Sequence, residues 1–258
     1  MRLLVKLGGT LLDDPASRAR IASELTQAGA RDGIELVVVH GGGKQMTRFL
    51  AERGVECQFV NGLRVTTPEI LDAVLKVFAG TVNHELVATL VAAGSRAVGL
   101  SGIDASLTEA VQWNPELGAV GKVVRADARL LETLTTAGFL PVVACVAGDR
   151  QGNIYNVNAD QMASACAAAF LADHLIFLTD VEGVLDRDRH VLKNINSQEI
   201  DELIRFGIAT GGMQAKLEAA TGALANGVGQ VTIAPGTRPG VLGALLEGNS
   251  IGTRILVK

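Results

Sequence analysis

Leu36-Val37-Val38-Val39-His40-Gly41-Gly42-Gly43-Lys44 is the stretch whose reading decides the fold. Four apolar residues, three of them β-branched, describe a strand buried on both faces, as in a parallel sheet. Three consecutive glycines then end it. Such a run costs backbone entropy. Either it is a tight turn, or backbone N–H groups come close to something negative where a strand hands over to a helix. The start of the chain carries a twin, Leu3-Leu4-Val5-Lys6-Leu7-Gly8-Gly9-Thr10. Two familiar loop patterns do not fit. A Walker A loop fails because Val38 stands at its first glycine and Gln45 at its Ser/Thr position, and a dinucleotide fingerprint fails because Met46 takes the third glycine.

Working outward, Asp13-Asp14-Pro15 is a cap with proline at a first helical position, and Ile21, Leu25 and Ala28 follow at helical spacing until Gly33. A strand over Ile34–Val39 precedes the glycines, and Met46, Phe49 and Leu50 mark a helix after them. This βαβα order predicts a mainly parallel sheet with right-handed crossovers. Asn61-Gly62 within Cys57–Val65 signals a hairpin, with Arg64 just past the turn, where an arginine can also simply cap the hairpin. Pro68–Ala93 reads as one long helix through Ile70, Val74, Val77, Phe78, Val82, Leu86 and Leu90, with Leu71 and Leu75 besides. Its apolar arc is wider than one sheet face needs.

Further along, Arg96–Leu100 is a strand, and Leu107–Trp113 and Val120–Arg125 form a hairpin around Asn114-Pro115. Asp127 caps a helix with Leu130, Leu131, Leu134 and Ala137 inward, and Leu140–Val146 is another buried strand. Gly152–Asp160 opens a helix of small residues, Ala163–Ala172, which reads as buried all round. Asp160 lies in its first turn, where an aspartate also suits the helix dipole. After a strand over Leu175–Thr179 comes Asp180-Val181-Glu182-Gly183-Val184-Leu185, and Ser197 caps a helix through Phe206. Thr210-Gly211-Gly212 leads into a helix over Met213–Asn226 with Met213, Leu217, Ala220 and Leu224 inward, and Lys216 lies on that stripe. Strands Val231–Ala234 and Thr253–Val257 finish the sheet, and a soft change of lobe falls near Thr179.

The 258 residues, 48% hydrophobic with 30 glycines, fit one α/β domain or two lobes. A formal charge of −4 argues against nucleic acid as a partner. No uninterrupted apolar run approaches the roughly 20 residues of a membrane span. Met1 and Arg2 lead straight into a strand without a signal peptide, so the expected setting is cytoplasmic. Cys57, Cys145 and Cys166 have neither Cys-x-x-Cys nor metal spacing and read as apolar residues.

Two lysines are out of place in the same way. Lys6 interrupts an apolar strand and Lys216 an apolar helix face. Buried lysines are nearly always paired; these either snorkel to an edge or converge on anionic oxygens. Together with two glycine loops and a helix-start aspartate, they point to phosphoryl transfer, which needs positioning and charge stabilisation more than covalent chemistry.

Lys6-Leu-Gly-Gly, His40-Gly-Gly-Gly, Gly62-Leu-Arg-Val-Thr66, Asn156-Val-Asn-Ala-Asp160-Gln, Asp180-Val-Glu-Gly-Val and Gly212-Met-Gln-Ala-Lys216 together resemble the amino-acid kinase family, and more narrowly its acetylglutamate kinase branch. The likeness spans the chain in order, down to Gly252-Thr-Arg-Ile255. It implies a three-layer αβα sandwich whose N-terminal lobe, residues 1–178, seats the acceptor and whose C-terminal lobe, residues 179–258, binds ATP.

The implied reaction is ATP-dependent phosphorylation of the side-chain carboxylate of N-acetyl-L-glutamate, the second step of arginine synthesis through acetylated intermediates. By the same resemblance, Lys6 and Lys216 neutralise the transferring group, Asp160 holds both ammonium groups, and N–H groups at Gly9 and Gly43 face the same oxygens. Arg64 pairs with the acceptor α-carboxylate, and Gly42, Gly43 and Asn156 complete its seat. Asp180, Val181, Glu182, Gly183, Val184 and Leu185 line the nucleotide site with Ile208, Ala209 and Thr210, and Mg²⁺ is held mainly by ATP phosphates rather than by protein ligands.

The family's Gly-Leu-Ser-Gly-x-Asp-Gly is departed from at its end, where Gly99-Leu-Ser-Gly-Ile-Asp-Ala105 loses the last glycine. The wide arc of the long helix, and the absence before Lys6 of the helix that arginine-inhibited hexameric members carry, imply a homodimer that arginine does not inhibit. Rival readings are a kinase for an acylated aminoadipate, one methylene longer, and a non-catalytic sensor of nucleotide or acetylglutamate. Retention of both lysines weighs against the sensor.

Overall fold

The computed structural model describes residues 1–256. Strand β1 (Arg2–Leu7) ends at a short 3₁₀ turn, Gly9–Leu12, before α1 (Pro15–Gly29), whose first turn is capped by the Asp14 carboxylate accepting from Ser17 N. Then follow β2 (Glu35–His40), α2 (Gly43–Ala51) and the hairpin β3 (Phe59–Val60) with β4 (Leu63–Arg64). Asn61 and Gly62 both take positive φ, 50° and 78°, as a two-residue hairpin turn requires. The long helix consists of α3 (Pro68–Val74), a π-helical stretch Leu75–Val82, and α4 (Asn83–Ala92).

Next come β5 (Ala97–Ser101), β6 (Thr108–Gln112), β7 (Val120–Ala126), α5 (Arg129–Thr136), β8 (Leu140–Ala144), β9 (Val146–Gly148), β10 (Ile154–Val157) and α6 (Ala159–Ala169). The chain closes with β11 (His174–Thr179), β12 (Asn194–Ile195), α7 (Ser197–Arg205), α8 (Gly211–Ala225), β13 (Gln230–Pro235), α9 (Val241–Leu246) and β14 (Thr253–Ile255).

Eight strands form one sheet in the order β12-β14-β13-β11-β1-β2-β8-β5. Every pairing in it is parallel except β13 with β14. The central strands are solidly apolar, with Leu3, Val5, Val37, Val38, Leu175 and Phe177 fully buried, as a sheet covered on both faces demands. Helix α1 packs on α4 and α9 to form one outer layer, and α6 packs on α8 in the other. The expected three-layer α/β architecture is therefore present. β6, β7, β9 and β10 close on themselves as a small four-stranded barrel beside it.

Several local expectations change. Leu140–Val146 breaks at Cys145, because β8 stays in the main sheet while β9 crosses into the barrel. Ile154–Val157, read as part of a helix opening, is a barrel strand. The small-residue helix is not enclosed all round: Gln161, Ser164, Ala165, Ala168 and Ala169 line an open groove against β7. The cap of α7 is Asn196, in a capping box with Glu199, rather than Ser197. Ala128 stands at the cap position of α5, one residue after Asp127, and Ala137 is exposed. Elements β12 and α9 carry too short a pattern to be read from sequence. The closing strand covers Thr253–Ile255; Val257 lies outside the described residues.

Pro68–Ala92 spans 25 residues and is long and apolar enough, by length and composition alone, to cross a membrane. Here Ile70, Val74, Val77, Phe78, Val82, Leu86 and Leu90 are buried in the core of this chain, while Val91 is exposed and Leu71 and Leu75 are half-buried.

Candidate active site

The functional side chains gather at the carboxyl ends of the central parallel strands, where open α/β sheets bind ligands. Lys6 sits near the end of β1, which is paired on both sides, by β2 and by β11. Asp160 lies in the first turn of α6, after Asn158 accepts from the N–H groups of Asp160 and Gln161. Lys216 lies in the second turn of α8.

These three meet. Lys6 Nζ is 2.9 Å from Asp160 Oδ1. Lys216 Nζ is 3.0 Å from Oδ1 and 2.9 Å from Oδ2. All three residues are buried, and the Lys216 ammonium also lies 5.2 Å from the centre of the Phe177 ring. Burial by itself would raise the Asp160 carboxyl; the two ammonium charges and their hydrogen bonds outweigh it and hold the group at about 2. Burial, and then the charge of Lys6, lower Lys216 to about 8 against the pull of Asp160. Two cations on one anion leave a net positive charge.

That charge faces a cavity of about 830 Å³, lined among others by Gly8, Gly9, Thr10, Gly43, Lys44 and Arg64. The two glycine loops touch: a Cβ on Gly9 would lie 3.3 Å from Gly43 N. Gly43 opens α2, so its N–H has no partner within the helix.

Arg64 is buried beneath its hairpin. Its guanidinium lies 4.6 Å from the centre of the Phe59 ring, donates to Thr47 Oγ1 at 2.9 Å and to Gly43 O at 3.3 Å, and reaches Cys57 Sγ. Asn156 does not line the cavity directly. Its Nδ2 donates to Thr66 Oγ1 at 3.0 Å, and the Thr66 hydroxyl donates to Arg64 O at 2.8 Å. A hydrogen-bond chain thus ties the barrel to the arginine.

The residues expected on the nucleotide side divide. Asp180 and Val181 line the cavity. Glu182 turns to an ion pair with Arg238. Val184 and Ala209 bury their side chains in the core, and Gly183 has no room for a Cβ because Thr253 Oγ1 would be 2.7 Å away. Leu185 pairs with Val191 across an isolated bridge, and Ile208 packs against the core. Thr210 precedes α8.

Gly42 is likewise not a lining residue. A Cβ there would meet Phe78 at 2.8 Å. Sequence reasoning missed Thr47, Phe59, Thr66, Lys44 and Arg48. Thr47 was findable as the residue one helical turn after Gly43, and Phe59 as the cross-strand partner of Arg64.

The donor set also bears on magnesium. Both Asp160 oxygens are taken by ammonium groups, which leaves Asp180 as the other carboxylate among the lining residues. This suits a cation carried by phosphate oxygens better than a protein-built cage.

Residues 1–235 match the model of the amino acid kinase family. The chain is 62% identical over 256 residues to the acetylglutamate kinase of Solibacter usitatus, covering 99% of each chain. Among solved structures, smu.665 from Streptococcus mutans superposes with a TM-score of 0.83 at 29% identity, covering 98% of both chains. N-acetylglutamate synthase from Neisseria gonorrhoeae, complexed with coenzyme A and N-acetyl-glutamate, superposes at 0.86 and 26% identity over 100% of this chain and 59% of that one. The chain therefore belongs to the amino acid kinase family, on its acetylglutamate kinase branch.

Proposed function

We propose that this protein transfers the γ-phosphoryl group of ATP to the side-chain carboxylate of N-acetyl-L-glutamate, giving N-acetyl-L-glutamyl 5-phosphate and ADP in arginine biosynthesis. The observation that carries the reading is the Lys6–Asp160–Lys216 cluster, two ammonium groups fixed by one carboxylate beneath two touching glycine loops.

The chemistry asks for little else. A glutamate-type carboxyl, with a pKa of about 4.3, is already an anion near neutrality, so no base has to remove a proton. One carboxylate oxygen attacks the γ-phosphorus in line, and the bond to the bridging oxygen of ADP breaks. Lys6 and Lys216 neutralise charge on the transferring group, Asp160 keeps both ammonium groups in place, and the N–H groups of Gly9 and Gly43 add donors that need no reorganisation. Arg64 grips the acceptor α-carboxylate through its fork; Gly43 lines the seat, while Gly42, packed against Phe78, and Asn156, bonded to Thr66, support it from outside the cavity. Asp180 and Val181 line the nucleotide side of the cavity, and 182–185 and 208–210 belong to the same side of the fold. Mg²⁺, carried on the ATP phosphates, supplies further charge neutralisation.

The lobe assignment, acceptor on 1–178 and ATP on 179–258, belongs to the same proposal, as does a cytoplasmic setting, which three unpaired cysteines support. So does a two-fold homodimer through Pro68–Ala92, supported by the open position of Val91 and the half-buried Leu71 and Leu75; light scattering of a monomer at micromolar concentration would count against it.

The test of the reaction is ATP consumption with acyl phosphate trapped as hydroxamate, comparing N-acetylglutamate with an acylated aminoadipate. The extra methylene is worth only about 1–3 kcal/mol in a pocket, so both rates are needed. Faster transfer to the longer acceptor, or none to either, would overturn the proposal.

A further inference from the structure

His40 closes β2 immediately before the three glycines, is fully buried, and has no task in the reaction above. Its partners fix the role of each ring nitrogen. Nδ1 lies 2.7 Å from Gly41 O; a carbonyl oxygen only accepts, so Nδ1 carries the hydrogen. Nε2 lies 2.9 Å from Asn83 Nδ2 and accepts from it. The same amide nitrogen donates to Val142 O at 2.9 Å. Turning the amide over would set its oxygen against two acceptors, so the two carbonyls determine both the Asn83 orientation and the His40 tautomer. Burial, opposed by the bond to Gly41, holds the ring at about 4 and keeps it neutral near pH 7.

Asn83 comes from the point where the long helix leaves its π-helical stretch. Two residues of that stretch fill the space beside the glycine loop: a Cβ on Gly42 would meet Phe78 at 2.8 Å and Val82 at 3.2 Å. On the other side, Gly99 in β5 makes room for the asparagine, since a Cβ there would lie 2.1 Å from Asn83 Oδ1. One helix therefore accounts for the smallness of both positions. π-Helical turns within α-helices are frequent at functional sites.

We infer that Asn83 and His40 are positioning residues for the glycine loop. Asn83, aimed by the wide helical turn, holds the His40 ring; the ring holds the Gly41 carbonyl; and the chain enters α2 with the Gly43 N–H facing the cavity. The inference rests on the role proposed for Gly43. Displacements of about 1 Å in such groups can lower a rate on the order of 10²-fold.

Three variants and one spectrum test it. Asn83→Leu removes the amide, His40→Asn keeps a donor for Gly41 O but loses the link to Asn83, and His40→Leu keeps neither. Turnover and both KM values are measured, with folding checked by circular dichroism, and the imidazole of the ligand-free wild type is examined by long-range ¹H–¹⁵N correlation. The expected ring is neutral with its hydrogen on Nδ1. Asn83→Leu should lower kcat about 10- to 100-fold with either KM changed by less than about threefold, and His40→Asn should keep more turnover than His40→Leu.

A ring protonated at Nε2, a folded Asn83→Leu with wild-type kcat, a loss confined to one KM, or equal loss in the two His40 variants would each overturn it. Should Asn83→Leu fail to fold, the tautomer and the His40 pair still decide. The tautomer is read without substrate, so a wild type inactive toward acetylglutamate counts against the reaction and not against this network.

Discussion

At the scale of single residues, charge that sits where apolar side chains belong was the readable signal. Lys6 within Leu-Leu-Val-Lys-Leu and Lys216 within a helix stripe are unexplained by burial alone, and the structure joins both to Asp160. Replacing either lysine by alanine should lower turnover on the order of 10²–10³-fold with the fold intact, the scale of losing one preorganised charge stabiliser; assay at saturating substrates checks this, and retention of more than about a tenth of wild-type turnover would refute the roles. Arg64→Lys should raise the KM for acetylglutamate and spare that for ATP, because a forked contact becomes a point contact. An effect on ATP alone would move the arginine to the other ligand.

The pH behaviour follows from Lys216. Its folded value of about 8 lies below the ordinary 10.5, so between these the unfolded chain holds a proton that the folded chain has lost, and this group makes stability rise with pH across that window. Activity runs the opposite way. In the role proposed for Lys216 the charged form is the one that stabilises phosphate, so kcat/KM should fall as pH rises through about 8, as an initial-rate profile with stability controls would show. A profile flat to pH 10 would show that the Lys216 ammonium keeps its proton in the folded protein as an ordinary lysine does. The supports of Arg64 were not legible in the same manner, because Thr47 and Phe59 are ordinary residues for a helix and a hairpin and acquire meaning only from what they touch.

Elements with a strong period were legible, and those that depend on distant pairing were not. The βαβα opening, the Asn61-Gly62 hairpin and α8 follow from periodicity and turn chemistry. The barrel did not, since β9 and β10 are short strands that pair chiefly with each other, and only one and two residue pairs respectively join them to β6 and β7, distant in sequence. The long helix is the instructive case. Its buried residues Ile70, Val74, Phe78, Val82, Leu86 and Leu90 recur every four positions. Each such step overshoots a full α-helical turn by about 40°, so five of them would carry the stripe about 200° round the helix. The π-helical stretch Leu75–Val82 has more residues per turn and takes up that drift. Much of the excess width of the apolar arc is thus a change of pitch, which no fixed-period template detects.

The turn after β5 makes a second element-scale case. Ala105, where the resemblance leads one to expect glycine, has φ 50° and ψ 26°. Left-handed backbone costs an L-residue roughly 1–2 kcal/mol. Ala105→Gly should therefore stabilise the protein by on the order of 0.5–1 kcal/mol, after allowing for the greater freedom of glycine in the unfolded chain; urea unfolding measures it, and a destabilised variant would show that the turn is not strained by its alanine.

Across the whole molecule, one sheet runs unbroken through the position expected for a change of lobe: β11, which ends at Thr179, pairs with β1 on one side and β13 on the other. The strand bearing Lys6 is held on both edges, so the cleft floor is among the most constrained parts of the protein. What that floor lacks has a consequence for how ATP is treated while it waits. Among the described residues lining the cavity, the only carboxylates are Asp160 and Asp180, and both oxygens of Asp160 are engaged by ammonium groups. An acceptor arrives already stripped of its proton, whereas water would have to surrender one and finds Asp160 occupied and Asp180 accepting from the Thr179 hydroxyl. General-base assistance is worth about 10²–10⁴-fold, so idle hydrolysis of ATP without acceptor should run below about 1% of the transfer rate, as phosphate release would record. Release approaching the transfer rate would mean that something in the cleft activates solvent. The same bonds that anchor two cations thereby discriminate against a nucleophile present at tens of molar, leaving nucleotide intact until its partner is seated.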